Sequence, residues 1–133
     1  MSLFKLFEGV AMNPDFKERA GIFLSEVINL LRGVLVEVSL YGSVVRGEMH
    51  EGSDVDVLVI VRGGREEALK ALESIYGSLW EQWVDLIAEG CVLELMVIGE
   101  EEWRSMVEKG FSFPMNVEED KIVVYRGSWG VNA

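Results

Sequence analysis

Asp54 and Asp56 are separated by one residue in the run DVDVLVIV, 54 to 61. On a strand, residues i and i+2 share a face, so the two carboxylates project side by side while Val55 and Val57 point the other way into a core. Carboxylates so placed disfavour each other's ionisation, and a divalent cation relieves the conflict. Mg²⁺ suits such a pair, because it takes a few carboxylates together with phosphate oxygens of a substrate. Just upstream, Gly42-Ser43 closes the run VLVEVSLY, 34 to 41. Gly42 lets a backbone or a phosphate come close. Ser43, at the start of a short helical segment, would offer its hydroxyl and free N–H groups to an anion. Arg46, one turn further on, adds a positive charge within reach of the same anion. Acids that hold a metal on one strand and a phosphate cradle on the preceding turn suit phosphoryl or nucleotidyl transfer.

A further acid stands out. Glu94 is the only charged residue of CVLELMVIG, 91 to 99. A lone charge in an apolar strand is costly unless it is paired or bound to metal; the alternative is an edge strand on which Glu94 faces solvent. His50, the single histidine, lies in the polar loop EMHEGS, 48 to 53, either as a solvated side chain or as a general acid or base.

The elements that must position these groups follow from periodicity. Asn13-Pro14 is a helix start, after which Phe16, Ala20, Phe23, Val27, Leu30 and Leu31 recur at helical spacing until Gly33. The strand 34 to 41 places Glu37 and Ser39 on one side and Val36, Val38 and Leu40 on the other. Gly63-Gly64 turns the chain into a helix over 65 to 88, with Ala68, Leu72, Ile75 and Leu79 as its buried stripe. Leu69, Tyr76, Trp80 and Trp83 broaden that stripe, and Gly77 is a point where the helix could bend. A third strand covers 91 to 98 and a third helix 100 to 109, with acids in its first turn. Phe111 to Met115 reads as an apolar loop, and KIVVYRG, 121 to 127, as a last short strand. Strands and helices in this order predict an α/β (α+β) fold. Its mixed sheet has about four strands, with the helices mainly on one face and the acid-bearing face left more open.

Composition bounds the function. The 133 residues are half hydrophobic, which predicts one globular domain over 1 to 133. Residues 1 to 12 would cover the edge of that domain or serve as a partner-binding arm. The tail 127 to 133, with Trp129, would fold back or be offered to a partner. A net charge of −11 argues against direct grip on nucleic-acid phosphates. Cys91 is the only cysteine, which fits a cytoplasmic protein, and no apolar run is long enough for a membrane span.

The pattern Gly42-Ser43-x10-Asp54-x-Asp56, with Arg46-Gly47 and Ser53 in between, resembles the signature of the DNA polymerase β-like nucleotidyltransferase superfamily. Within it, the chain looks most like the minimal nucleotidyltransferases, many of which are antitoxins paired with a HEPN-domain toxin. The resemblance implies the polymerase β-like fold, with Gly42, Ser43, Arg46 and Ser53 around the triphosphate of ATP. It implies two Mg²⁺ ions held by Asp54, Asp56 and a third carboxylate from a neighbouring strand. Glu94 is the candidate for that third position, and Asp85 the runner-up should WVDLIAEG not be helical; the family more often has Asp there. The third carboxylate could also act as general base. The implied reaction moves AMP from ATP onto a hydroxyl of the HEPN toxin partner. Larger superfamily members carry a helical domain that this chain has no room for, so a partner or a homo-oligomer would complete the site. Two other readings stay open: an antitoxin that acts by binding alone, and a small-molecule nucleotidyltransferase of the kanamycin-modifying type.

Overall fold

A computed structural model describes residues 14–46 and 54–127. Among the described residues, four helices and four strands follow in the order α1 (Pro14–Leu31), β1 (Leu35–Tyr41), β2 (Val55–Val61), α2 (Arg65–Ala88), β3 (Leu93–Gly99), α3 (Glu100–Glu108), α4 (Ser112–Asp120) and β4 (Ile122–Arg126). The strands form one mixed sheet in the order β3-β2-β1-β4. β1 runs antiparallel to both β2 and β4, whereas β2 and β3 are parallel. A parallel pair needs a crossover, and α2 provides it. The predicted α+β class and the four strands are therefore found.

β2 is central and reads accordingly. Val55, Val57, Val59 and Val61 face the core shared with α1 and α2, while Leu58 and Ile60 are buried on the opposite face beneath Trp103 of α3 and Val117 of α4. Burial on both faces is why the strand is apolar in nearly every position beyond Asp56. α1 contributes Ala20, Phe23, Leu24, Val27, Ile28 and Leu31 to the first core, and α2 contributes Ala68, Ala71, Ile75, Leu79 and Leu86. The start of α2 is fixed by Glu67, whose Oε1 accepts the Gly64 N–H at 2.8 Å. The two long helices thus share one face, as predicted, and the two short ones cover part of the other.

Several local readings are corrected. Residues 112–120 form the helix α4 rather than an apolar loop: Pro114 lies in its first turn, where a missing N–H costs nothing, and Val117 is buried beneath it. Val36 does not share a face with Val38 and Leu40, because a register shift between Leu35 and Glu37 turns it to the α3–α4 side. Leu30 is exposed at the end of α1. On α2, Leu69, Tyr76 and Trp80 point outward, while Trp83 packs against the core and donates its indole N–H to the Leu93 carbonyl at 3.0 Å. α2 runs unbroken through Gly77. The short helical segment expected at Ser43 is a three-residue 3-10 helix, Gly42–Val44. The proposed arm at 1 to 12, His50, Ser53 and all of the tail after Gly127 lie outside the described residues.

Candidate active site

The registers place Tyr41 opposite Asp56, and Asp56 opposite Glu94. Paired residues share a face, so these three side chains form one row across β1, β2 and β3 at the end of the sheet where β1 stops and β2 begins. Asp54 immediately precedes β2. Glu94 lies close enough to both aspartates to hydrogen-bond with them, Asp56 foremost, and their charges add to the effect. Its carboxyl is pushed up from the usual 4.5 to about 6. Tyr41, half-buried beside this row, has its phenol pushed up by burial and then by the Asp56 and Glu94 charges, so it remains a hydrogen-bond donor.

The Gly-Ser turn meets the row directly. Gly42 has φ +78°, and a Cβ built on it would fall 2.4 Å from Asp56 Oδ2. Only glycine lets the turn close against that carboxylate. Ser43 is partly exposed beside it, and the turn is closed by Val45 N–H donating to the Gly42 carbonyl at 3.2 Å. Arg46 follows on the surface.

Of the two candidates for the third acid, Glu94 is brought to the aspartates and Asp85 is not. Asp85 lies within α2, on the opposite side of the sheet, where it lines a surface cleft of about 170 Å³ with Arg19, Ile22, Gln82 and Glu89. Among the described residues, no group of three or more His, Cys, Asp or Glu side chains is placed to hold a metal ion. The acids form instead a contiguous row with no Lys or Arg ion-paired to it among the described residues. By donor type, the oxygens of three neighbouring acids suit a hard divalent cation; as the side chains are placed, no three of them are set to hold one.

Glu37, on the same face of β1, shows what a structural acid looks like. It is 4 % exposed, and Lys121 Nζ reaches its Oε2 at 2.7 Å, the Ser39 hydroxyl donates to it at 2.6 Å, and Arg126 lies 3.6 Å from Oε1. Lys121 also pairs with Glu118 at 2.9 Å, which accepts the Trp103 indole N–H at 2.7 Å. Burial opposes the charge on Glu118, yet the bonds from Trp103 and Lys121 hold its carboxyl below the usual value. The isolated-charge argument that singles out Glu94 applies equally to Glu37, and the strand pattern alone does not tell the paired acid from the unpaired one. Tyr41 was not singled out by sequence either. Its signal is positional: it immediately precedes the Gly-Ser turn and ends its strand.

A four-stranded mixed sheet with this helix order, whose Gly-Ser turn closes on an acid of the neighbouring strand, is the polymerase β-like nucleotidyltransferase fold. The chain belongs to the nucleotidyltransferase domain family, whose model matches residues 22–123. Two solved structures are similar in outline. One is a toxin–antitoxin structure with AMP-PNP, 16% identical, covering 81% of this chain and 74% of that one with a TM-score of 0.47. The other is a candidate nucleotidyltransferase from Sulfolobus solfataricus, 17% identical, covering 89% and 93% with a TM-score of 0.44. No curated protein matches the chain. Among the described residues, no helix is long and apolar enough to cross a membrane.

Proposed function

We propose that this protein is a Mg²⁺-dependent nucleotidyltransferase that moves AMP from ATP onto a hydroxyl of a protein partner, a HEPN-type toxin that it neutralises. The observation that carries the reading is the close approach of the Gly42 turn to the Asp56 carboxylate, so that one substrate could touch both. Membership of the nucleotidyltransferase family supports the reaction class. The backbone and hydroxyl of Gly42-Ser43 would bind the terminal phosphates, and Arg46 would orient them; Ser53, outside the described residues, belongs to the same sequence motif. Asp54, Asp56 and Glu94 would hold the magnesium ions. Bound magnesium would supply charge neutralisation at the phosphates and a lowered pKa at the acceptor hydroxyl. Glu94, the most exposed of the three, would take the acceptor's proton.

The partner rests on the motif's resemblance: the toxin, or a second copy of this chain, would complete the acceptor side of the acid row. The open arrangement of the three acids favours one competing reading, an antitoxin that works by binding alone. Incubation with α-labelled ATP and Mg²⁺, with and without a co-purified partner, separates the two. Label on the partner that vanishes in Asp54→Ala is the expected result. Tight binding without label, unchanged in that variant, would replace the enzyme with the binding protein. Turnover of an aminoglycoside without any partner would favour the small-molecule enzyme.

A further inference from the structure

Beside the acid row, α4 and the residue that caps it carry three large apolar side chains that burial does not explain. Phe111, Phe113 and Met115 are 52 %, 45 % and 48 % exposed, although Pro114 and Val117 on the same segment are buried. Phe113 is the member of this group tied to the row. Its ring lies 5.9 Å from that of Tyr41 and 6.3 Å from that of Trp103, at interplanar angles of 80° and 88°. Two near-perpendicular neighbours fix the plane of the ring, so an exposed aromatic surface is held in one orientation at little further entropic cost. Tyr41 in turn is the residue before Gly42 and the cross-strand neighbour of Asp56. Phe113 is thus one ring removed from the turn and from the acids, on the side of the row opposite Glu94.

We infer that Phe113 is the nucleobase platform of this site, its exposed ring stacking on the base of a nucleoside triphosphate whose phosphates lie at Gly42-Ser43. The inference rests on the nucleotide reading of the site and names the group that would bind the part of the substrate the motif does not address. A ribose separates base from α-phosphate, and the Tyr41 ring is the corresponding spacer between Phe113 and the turn. The face of a phenyl ring accepts any base by stacking and adds no hydrogen-bond readout, so the platform contributes affinity rather than choice of base. It acts on binding, not on the reacting atoms, and Phe113 is a binding residue on this account.

Equilibrium binding of two magnesium-loaded probes tests it: ATP, and inorganic tripolyphosphate, which has the phosphates without the base. Phe113→Leu keeps apolar bulk against Trp103 and Tyr41 but removes the aromatic face; Phe113→Tyr keeps the face. ATP affinity is expected to fall about five- to a hundredfold in Phe113→Leu, the range that truncating one stacked aromatic gives. Tripolyphosphate affinity should be unchanged in that variant, and Phe113→Tyr should bind ATP as the parent does. Equal weakening of both probes would reduce Phe113 to a packing residue, and an unchanged ATP affinity in Phe113→Leu would place the base elsewhere; either result overturns the inference. A parent protein that binds tripolyphosphate but prefers ATP no better than it likewise overturns the platform while leaving the phosphate site standing. A parent that binds neither probe overturns the nucleotide reading itself.

Discussion

Alternate residues of β2 meet two different environments. Val55, Val57, Val59 and Val61 are fully buried against α1 and α2, whereas Asp56, Leu58 and Ile60 pass from an open carboxylate to a closed apolar core within one seven-residue strand. The first face is apolar along its whole length and sealed by two helices of 18 and 24 residues. The second is covered only in part, by two helices of 9 residues, and the row Tyr41–Asp56–Glu94 lies at its free end. The difference separates what holds the fold together from what is available for chemistry. It also recurs within the second face: Glu37, under the covered end, is neutralised by Lys121 and Arg126, while the acids at the open end are not neutralised by any described base.

That contrast is easiest to break at the open end. Asp56→Asn should lower label transfer from ATP on the order of a thousandfold, about 4 kcal/mol of transition-state stabilisation. The urea midpoint should stay level or rise, since a like-charge repulsion is removed. Substantial residual transfer would move the chemistry away from this row. The sealed face should behave the other way. Ile75→Ala, at a fully buried position, should cost about 2–5 kcal/mol in urea unfolding and leave ATP affinity unchanged at temperatures where the variant is folded.

At the covered end of the second face, Lys121→Met should cost about 3 kcal/mol, because Glu37 is left buried with only Arg126 and Ser39 for company. Adding Glu37→Gln should restore part of the loss; a double variant no more stable than the single would mean that Lys121 acts through packing. The smallest effect belongs to pH. Glu94 titrates at about 6 when folded, against 4.5 ordinarily, because Asp56 and Asp54 share its proton. The folded state binds that proton more tightly than the unfolded chain does. The stabilisation is therefore complete below the ordinary value and fades as pH rises through about 6. In the metal-free protein, carboxyl NMR should show this titration directly, and Mg²⁺ should move it downward. A Glu94 that titrates in the ordinary range without metal would mean that the row is looser than described.

Much of this arrangement was legible in the residues. The spacing of Gly42-Ser43 and Asp54-x-Asp56 identified two adjoining strand ends, and the valine alternation of β2 identified its buried face. Glu94 was legible as an anomaly, a charge among Leu93, Leu95 and Met96. What sequence could not supply was pairing. Whether Glu37 or Glu94 is the neutralised acid depends on which side chains arrive from Lys121 and Arg126, more than eighty residues downstream of Glu37. The bulge that turns Val36 to the other face likewise depends on the β1–β2 register and not on the local pattern. α4 was missed because Pro114 and its aromatic neighbours resemble a loop; its i to i+4 hydrogen bonds, such as Met115 N–H to the Phe111 carbonyl, are visible only in the structure.

The pairing of Glu37 with residues from the last strand has a consequence for assembly during synthesis. β1 and β2 leave the ribosome well before β4, yet closing the sheet over Glu37 without Lys121 would strand a bare anion in an apolar setting. Translation order therefore withholds final closure until the far end of the domain emerges. A nascent chain stalled before Lys121 lacks β4 and so keeps an open sheet edge beside β1.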